Sequence, residues 1–111
     1  MRGTKQTQSR KKMKRGGFVY IMTNKRNGTL YTGVTARLAE RVQEHRMCIK
    51  PDSFTSKYAC TLLVFYLAFS RIEDAISEEK RIKNGSRIQK INLIESINPK
   101  WEDLWDEIKE W

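Results

Sequence analysis

Two short stretches, Phe18-Val-Tyr-Ile-Met-Thr23 and Thr29-Leu-Tyr-Thr-Gly-Val-Thr35, are rich in β-branched and aromatic residues and predict strands. Between them, Asn24-Lys-Arg-Asn-Gly28 ends in an Asn27-Gly28 pair suited to positive φ, so the strands form an antiparallel hairpin whose register the loop alone leaves open. Ala36 to Met47 contains neither Gly nor Pro and has Leu38 and Val42 one turn apart; it predicts a helix with Thr35 as N-cap. Lys50-Pro-Asp-Ser53 breaks the chain. Thr61 to Phe69 is apolar and reads as a strand buried on both faces, although periodicity alone also allows a buried helix. Ile72 to Lys83 predicts a second helix stopped by Asn84-Gly85, and Ser86-x-x-Gln89 opens a third like a capping box, ending near Asn98-Pro99. Trp101, Leu104, Trp105, Ile108 and Trp111 follow helical spacing and predict a final amphipathic helix, with Asn98 as its N-cap and Pro99 at its first position. The pattern is that of an α+β domain, a three-stranded antiparallel sheet flanked by helices.

The helical periods also place three polar residues. At about 100° per residue, His45, the chain's one histidine, falls on the Leu38–Val42 stripe, with Arg41 on its edge. On the second helix Glu79 is ringed by Ala75, Ile76 and Ile82, while Glu73, Asp74 and Glu78 fall on the other face. A carboxylate on a buried face must be protonated, paired or bound to a cation. Glu79 therefore has two readings: a buried ion pair, with Arg41 or His45 as partner, or a one-carboxylate Mg²⁺ site completed by water and phosphate oxygens.

Composition adds a partner class. The chain has 111 residues and a formal net charge of +9, enough for a single domain. Met1 to Arg15 carries seven basic residues and no acid, Gly16 to Arg71 eight against three, and Ile72 to Trp111 seven against ten. An acid-free arm over residues 1–16, joined to a domain over 17–111 whose first half is basic, is the footprint of a polyphosphate partner, and nucleic acid is the simplest. A solubilising or address-bearing tail is the competing explanation of the arm. The longest apolar run, Leu62 to Phe69, is far short of the roughly 18 residues of a membrane span, so a cytoplasmic protein with no membrane partner is expected. Cys48 and Cys60 lack metal-site spacing and read as inert thiols.

Tyr20 and Tyr31, one on each hairpin strand, are ordinary packing aromatics when taken alone. Together with Arg41, His45 and Glu79 they supply what a phosphodiester hydrolase needs: a proton acceptor for water, a cation for the phosphoryl group and an anchor for a metal. The ordered set Val19-Tyr20-Ile21, Tyr31-Thr32-Gly33, Arg41, His45, Ala75-x-x-x-Glu79-x-x-Ile82-Lys83 and Asn98-Pro99-x-Trp101 resembles the GIY-YIG endonuclease superfamily, especially its small single-domain bacterial, URI-type members. The resemblance runs from about Phe18 to Asp106. It implies a Mg²⁺- or Mn²⁺-dependent endonuclease acting with one ion on nucleic acid, DNA ahead of RNA, in repair or recombination. By the same resemblance Glu79 holds the metal, Arg41 binds the scissile phosphate, Tyr20 helps activate water, Tyr31 and His45 orient groups or relay protons, and Asn98 completes the catalytic set. Phe18-Val19-Tyr20 stands where the family has Gly-Ile-Tyr, Thr32 where Ile is usual, and Val34 where excision-repair relatives have lysine. The alternative is a nucleic-acid-binding module of the same fold with weak or no catalysis.

Overall fold

A computed structural model describes residues 16–111; the basic arm, apart from Gly16, lies outside the described residues. Strands β1 (Gly17–Thr23), β2 (Leu30–Thr35) and β3 (Leu62–Phe69) form one antiparallel sheet in the order β2-β1-β3. The helices are α1 (Leu38–Arg46), α2 (Phe54–Lys57), α3 (Ile72–Lys83), α4 (Arg87–Ile97) and α5 (Trp105–Ile108). The α+β expectation holds.

Every residue of β1 is buried because the strand is central and covered on both faces. Side chains alternate along it. Val19 and Ile21 join Val64, Ala75, Ile82 and Ile94 on the α3/α4 side, and Phe18, Tyr20 and Met22 join Leu38, Val42 and Ile108 on the α1/α5 side. Each full burial of a large apolar side chain contributes about 1.5–3 kcal/mol, so both layers are firmly held to the sheet.

Several local expectations are corrected. In the hairpin only Asn27 has positive φ, at 58°, and Gly28 does not; the loop is held by Thr29 N–H donating to Asn24 Oδ1 at 3.0 Å. Helix α1 starts two residues later than expected, and Thr35 is not its N-cap: that position is Arg37, whose N–H donates to Thr35 Oγ1 at 3.0 Å. The connection after Pro51 contains the single turn α2, which was not anticipated; Ser53 caps it by accepting from Ser56 N–H. The strand reading of β3 is right, but only its first half is buried, since Leu67 and Ala68 face solvent. The capping box of α4 forms as expected.

The C-terminal helix shrinks to one turn for an identifiable reason. Trp101 adopts φ 58°, and Asn98, the C-cap of α4 and not an N-cap, binds the next segment. The Asn98 amide donates to Val64 O at 3.0 Å and to Glu102 O at 2.9 Å, while its Oδ1 accepts from Glu102 N–H at 3.0 Å. The β1–β3 register slips between Ile21 and Met22 and skips Val64, so Asn98 satisfies a carbonyl that this bulge leaves without a strand partner. Asp103 Oδ1 and Leu104 N–H then bind the backbone of Leu63, sealing the outer edge of β3. Asn98→Ala strands these buried groups and is expected to destabilise the protein by about 2–3 kcal/mol in urea unfolding; an unchanged midpoint would contradict this role.

Candidate active site

Tyr20 projects from the middle of β1 toward α1 and is fully buried. Its cross-strand partner on β2 is Gly33, and a Cβ there would lie 2.5 Å from the Tyr20 ring. The glycine of the Tyr31-Thr32-Gly33 motif is thus explained by space: the phenol lies flat across the position a side chain would fill. Gly33→Ala is expected to displace that ring and to cost about 1–3 kcal/mol of stability, read by thermal melting. Tyr31, two residues earlier and on the same face, sits with its ring 6.2 Å from that of Tyr20.

Helix α1 buries Leu38 and Val42 against the sheet, and the same stripe carries His45 to the two tyrosines. His45 Nε2 is 2.9 Å from Tyr20 Oη, and its Nδ1 is 2.9 Å from Thr55 Oγ1. The Tyr31 ring meets the imidazole edge-on at 5.5 Å. Thr55, on α2, is buried, so this turn holds the histidine from behind. Arg41 is half-exposed one turn before His45 and pairs with Glu44 at 3.3 Å. A cavity of about 320 Å³ opens here, lined by Tyr31, Arg41, Glu44, His45, Lys50 and Phe54 among others.

Burial pushes the Tyr20 hydroxyl far above the usual tyrosine range, Tyr31 adds to the rise, and the Arg41 guanidinium opposes it. Burial lowers the His45 pKa below 6.5; the charges of Arg41 and Lys50 reinforce this, and Glu44 counteracts it. A neutral imidazole therefore faces a neutral phenol at neutral pH.

Glu79 lies on α3, which covers the other face of β1 and β2, and it is buried between Ala75 and Ile82 as its helical position predicted. The ion pair expected with Arg41 or His45 is not formed. Its partner is Lys83, one turn on, with Nζ 2.7 Å from Oε2. That contact raises the lysine's pKa, with burial opposing, and Tyr31 also contributes to the rise. Lys83 and Glu79 are thus one i,i+4 pair on α3, beside the edge strand β2. The structure brings Tyr20, Tyr31, Arg41 and His45 together, and places Glu79 on α3 with Lys83 as its partner. It does not bring Asn98, whose side chain is spent on β3. Sequence reasoning missed Thr55 and the role of Lys83. A serine after Pro51-Asp52 was the available sign of a capped turn, and the Glu79/Lys83 spacing was the sign of an i,i+4 pair.

Among the described residues no group of three or more His, Cys, Asp and Glu could enclose a metal ion. The donors fit a different arrangement. Glu79 offers a hard oxygen and already attracts a cation, the Lys83 ammonium, which suits an ion held by one carboxylate and otherwise by water and phosphate oxygens.

A sequence profile described as the GIY-YIG catalytic domain matches residues 16–92. The chain belongs to the GIY-YIG family. The matched stretch contains Tyr20, Tyr31, Arg41, His45 and Glu79, and Asn98 lies beyond it. The GIY-YIG domain is a nuclease domain, with nucleic acid as its class of substrate. A UPF0213 protein of Staphylococcus haemolyticus is 36% identical over 78 residues, covering 70% of this chain and 93% of its own. A second, from Desulfotalea psychrophila, is 33% identical over 79 residues, 71% of each chain. The solution NMR structure of a UPF0213 protein from Bacillus halodurans superposes with a TM-score of 0.51 at 28% identity, over 79% of this chain and 92% of that one. These names state no activity. Among the described residues no helix is long and apolar enough to cross a membrane.

Proposed function

We propose that the protein is a Mg²⁺-dependent endonuclease, Mn²⁺ being the natural substitute, that hydrolyses phosphodiester bonds of DNA in preference to RNA. The observation that carries this reading is the hydrogen-bonded series Tyr20–His45–Thr55 at a cavity edged by Arg41. The setting we propose with it is repair or recombination of DNA in the cytoplasm.

The raised pKa of Tyr20 denies it a standing phenolate, so it cannot act as a base alone. In contact with His45 it need not. As water attacks phosphorus, Tyr20 Oη takes the water proton and passes its own to His45 Nε2, while Nδ1–H donates to Thr55. The P–O bond to the leaving oxygen breaks as the new P–O bond forms; that oxygen departs and takes a proton from solvent, to which His45 then gives up its own. Arg41 meets the scissile phosphate, shifting from Glu44, and offsets charge developing on the phosphoryl oxygens. Tyr31 holds the imidazole plane. Glu79 would hold the metal ion, which when bound supplies Lewis-acid stabilisation of the leaving oxygen. Lys83 neutralises the carboxylate until then.

The Glu79–Lys83 pair also favours one rival, because a carboxylate already neutralised could be purely structural and the protein a module that only holds nucleic acid. The two separate on incubation of the full-length protein and its Arg41→Ala variant with supercoiled plasmid, branched and single-stranded oligonucleotides in Mg²⁺. Cleavage of at least one substrate, lost in the variant, supports the hydrolase. Intact substrates retarded on a gel with salt-sensitive affinity support the holding module.

A further inference from the structure

The turn α2 faces two ways. Thr55 points inward to His45, while Phe54 and Tyr58 are 45% and 51% exposed. Their ring centroids are 4.8 Å apart, and Phe54 lies 6.0 Å from Tyr31, so three rings run from the cavity to the surface. Two adjoining exposed aromatics beside a polar cavity are a feature that folding alone does not require.

The platform is also fixed in place. Ser53 caps the turn, Cys60 N–H donates to Thr55 O at 2.8 Å, and Tyr58 N–H donates to Phe54 O at 3.1 Å. A ligand stacking there would pay little to order it. Lys50 lines the cavity and Lys57 stands on the same turn, both exposed. Of the nearby acids, Glu44 is engaged by Arg41, and Asp52 is exposed. Aromatic faces interleaved with cations are the physical requirement for binding single strands, because every base has a face to stack while a duplex keeps its faces inside.

We propose that Phe54 and Tyr58 form a stacking subsite for an unpaired nucleobase flanking the phosphate at Arg41, which makes single-stranded or locally unpaired nucleic acid the substrate class. The inference rests on the reading of the cavity as the phosphate site. Stacking on these rings draws the neighbouring backbone toward Arg41 and His45, and a continuous duplex cannot use it without unpairing a base.

The test is fluorescence anisotropy of the full chain with labelled oligo(dT), oligo(U) and a blunt hairpin duplex, in EDTA so that nothing is cut. Tyr58→Ala and Phe54→Ala are each expected to weaken single-strand binding about tenfold and leave the duplex unchanged, with Tyr58→Trp restoring affinity. A scan with single abasic nucleotides is expected to weaken wild-type binding at one position and to leave Tyr58→Ala indifferent there. The pattern on either oligo(dT) or oligo(U) supports the subsite. Equal losses on duplex and single strand, or an abasic effect the same in wild type and Tyr58→Ala, would overturn it. Both rings are exposed, and should Phe54→Ala fail to fold, the Tyr58→Ala and Tyr58→Trp pair decides alone. Cleavage by the same proteins in Mg²⁺ separates the two claims. A strand bound in this pattern and never cut defeats the hydrolase and spares the subsite; equal cutting of strand and duplex, unaffected by Tyr58→Ala, does the opposite.

Discussion

Glu79→Gln is expected to lower the single-turnover cleavage rate by about 10³-fold or more while barely moving the melting temperature. The amide keeps the shape of the carboxylate and removes the charge that would hold the metal, and metal stabilisation of a leaving oxygen is worth several kcal/mol. The structural loss is small by comparison. Glu79 pairs with a half-exposed lysine one turn away on its own helix, and the amide that replaces the carboxylate still accepts a hydrogen bond from that ammonium. The two roles of this residue therefore predict opposite signatures. A clear drop in melting temperature with cleavage retained would make Glu79 a structural ion-pair residue and nothing more.

The second large effect belongs to His45. His45→Ala is expected to slow cleavage about 10²- to 10⁴-fold, because the phenol of Tyr20 then has no acceptor for its proton. Wild-type cleavage should rise with pH and level off with an apparent pKa below 6.5, since only the neutral imidazole accepts and burial lowers its pKa. The sign for stability follows from the same shift. The unfolded chain, with an ordinary histidine, binds the proton more readily than the folded one, so this contribution is intact above pH 6.5 and is lost as pH falls through the folded pKa. Unfolding midpoints followed across that window should decline toward acid in the wild type and lose that component in His45→Ala. A rate profile that climbs only in the alkaline tyrosine range would instead name Tyr20 as a free base.

Much of this was legible in the sequence, for physical reasons that differ by element. The spans of β1, β3 and α3 follow from composition and from stop signals close in the chain, such as Asn84-Gly85 after Lys83. The inward position of His45 follows from helical period alone. What stayed hidden depends on distant partners. Asn98 could serve a helix start in any reading of its neighbours, and only the bulge that skips Val64 shows why it binds β3. The final helix failed because its aromatic spacing was helical while Trp101 took a positive φ and the Asn98 side chain bound the Glu102 backbone. Thr55 carried no local pattern that pointed to His45, ten residues away. Glu79 was rightly placed as buried but wrongly paired, since Arg41 and His45 approach from the opposite face of the sheet and Lys83 is close on the same helix.

The central claim is hydrolysis by this cluster with a divalent ion. It is met most directly by following a 5′-labelled strand cleaved by the wild-type protein, freed of metal with EDTA, as Mg²⁺ is titrated back. The account predicts discrete shortened products that appear only with the ion and saturate with its concentration. A strand that stays whole at every Mg²⁺ and Mn²⁺ concentration, or is cut equally well in EDTA, would contradict it.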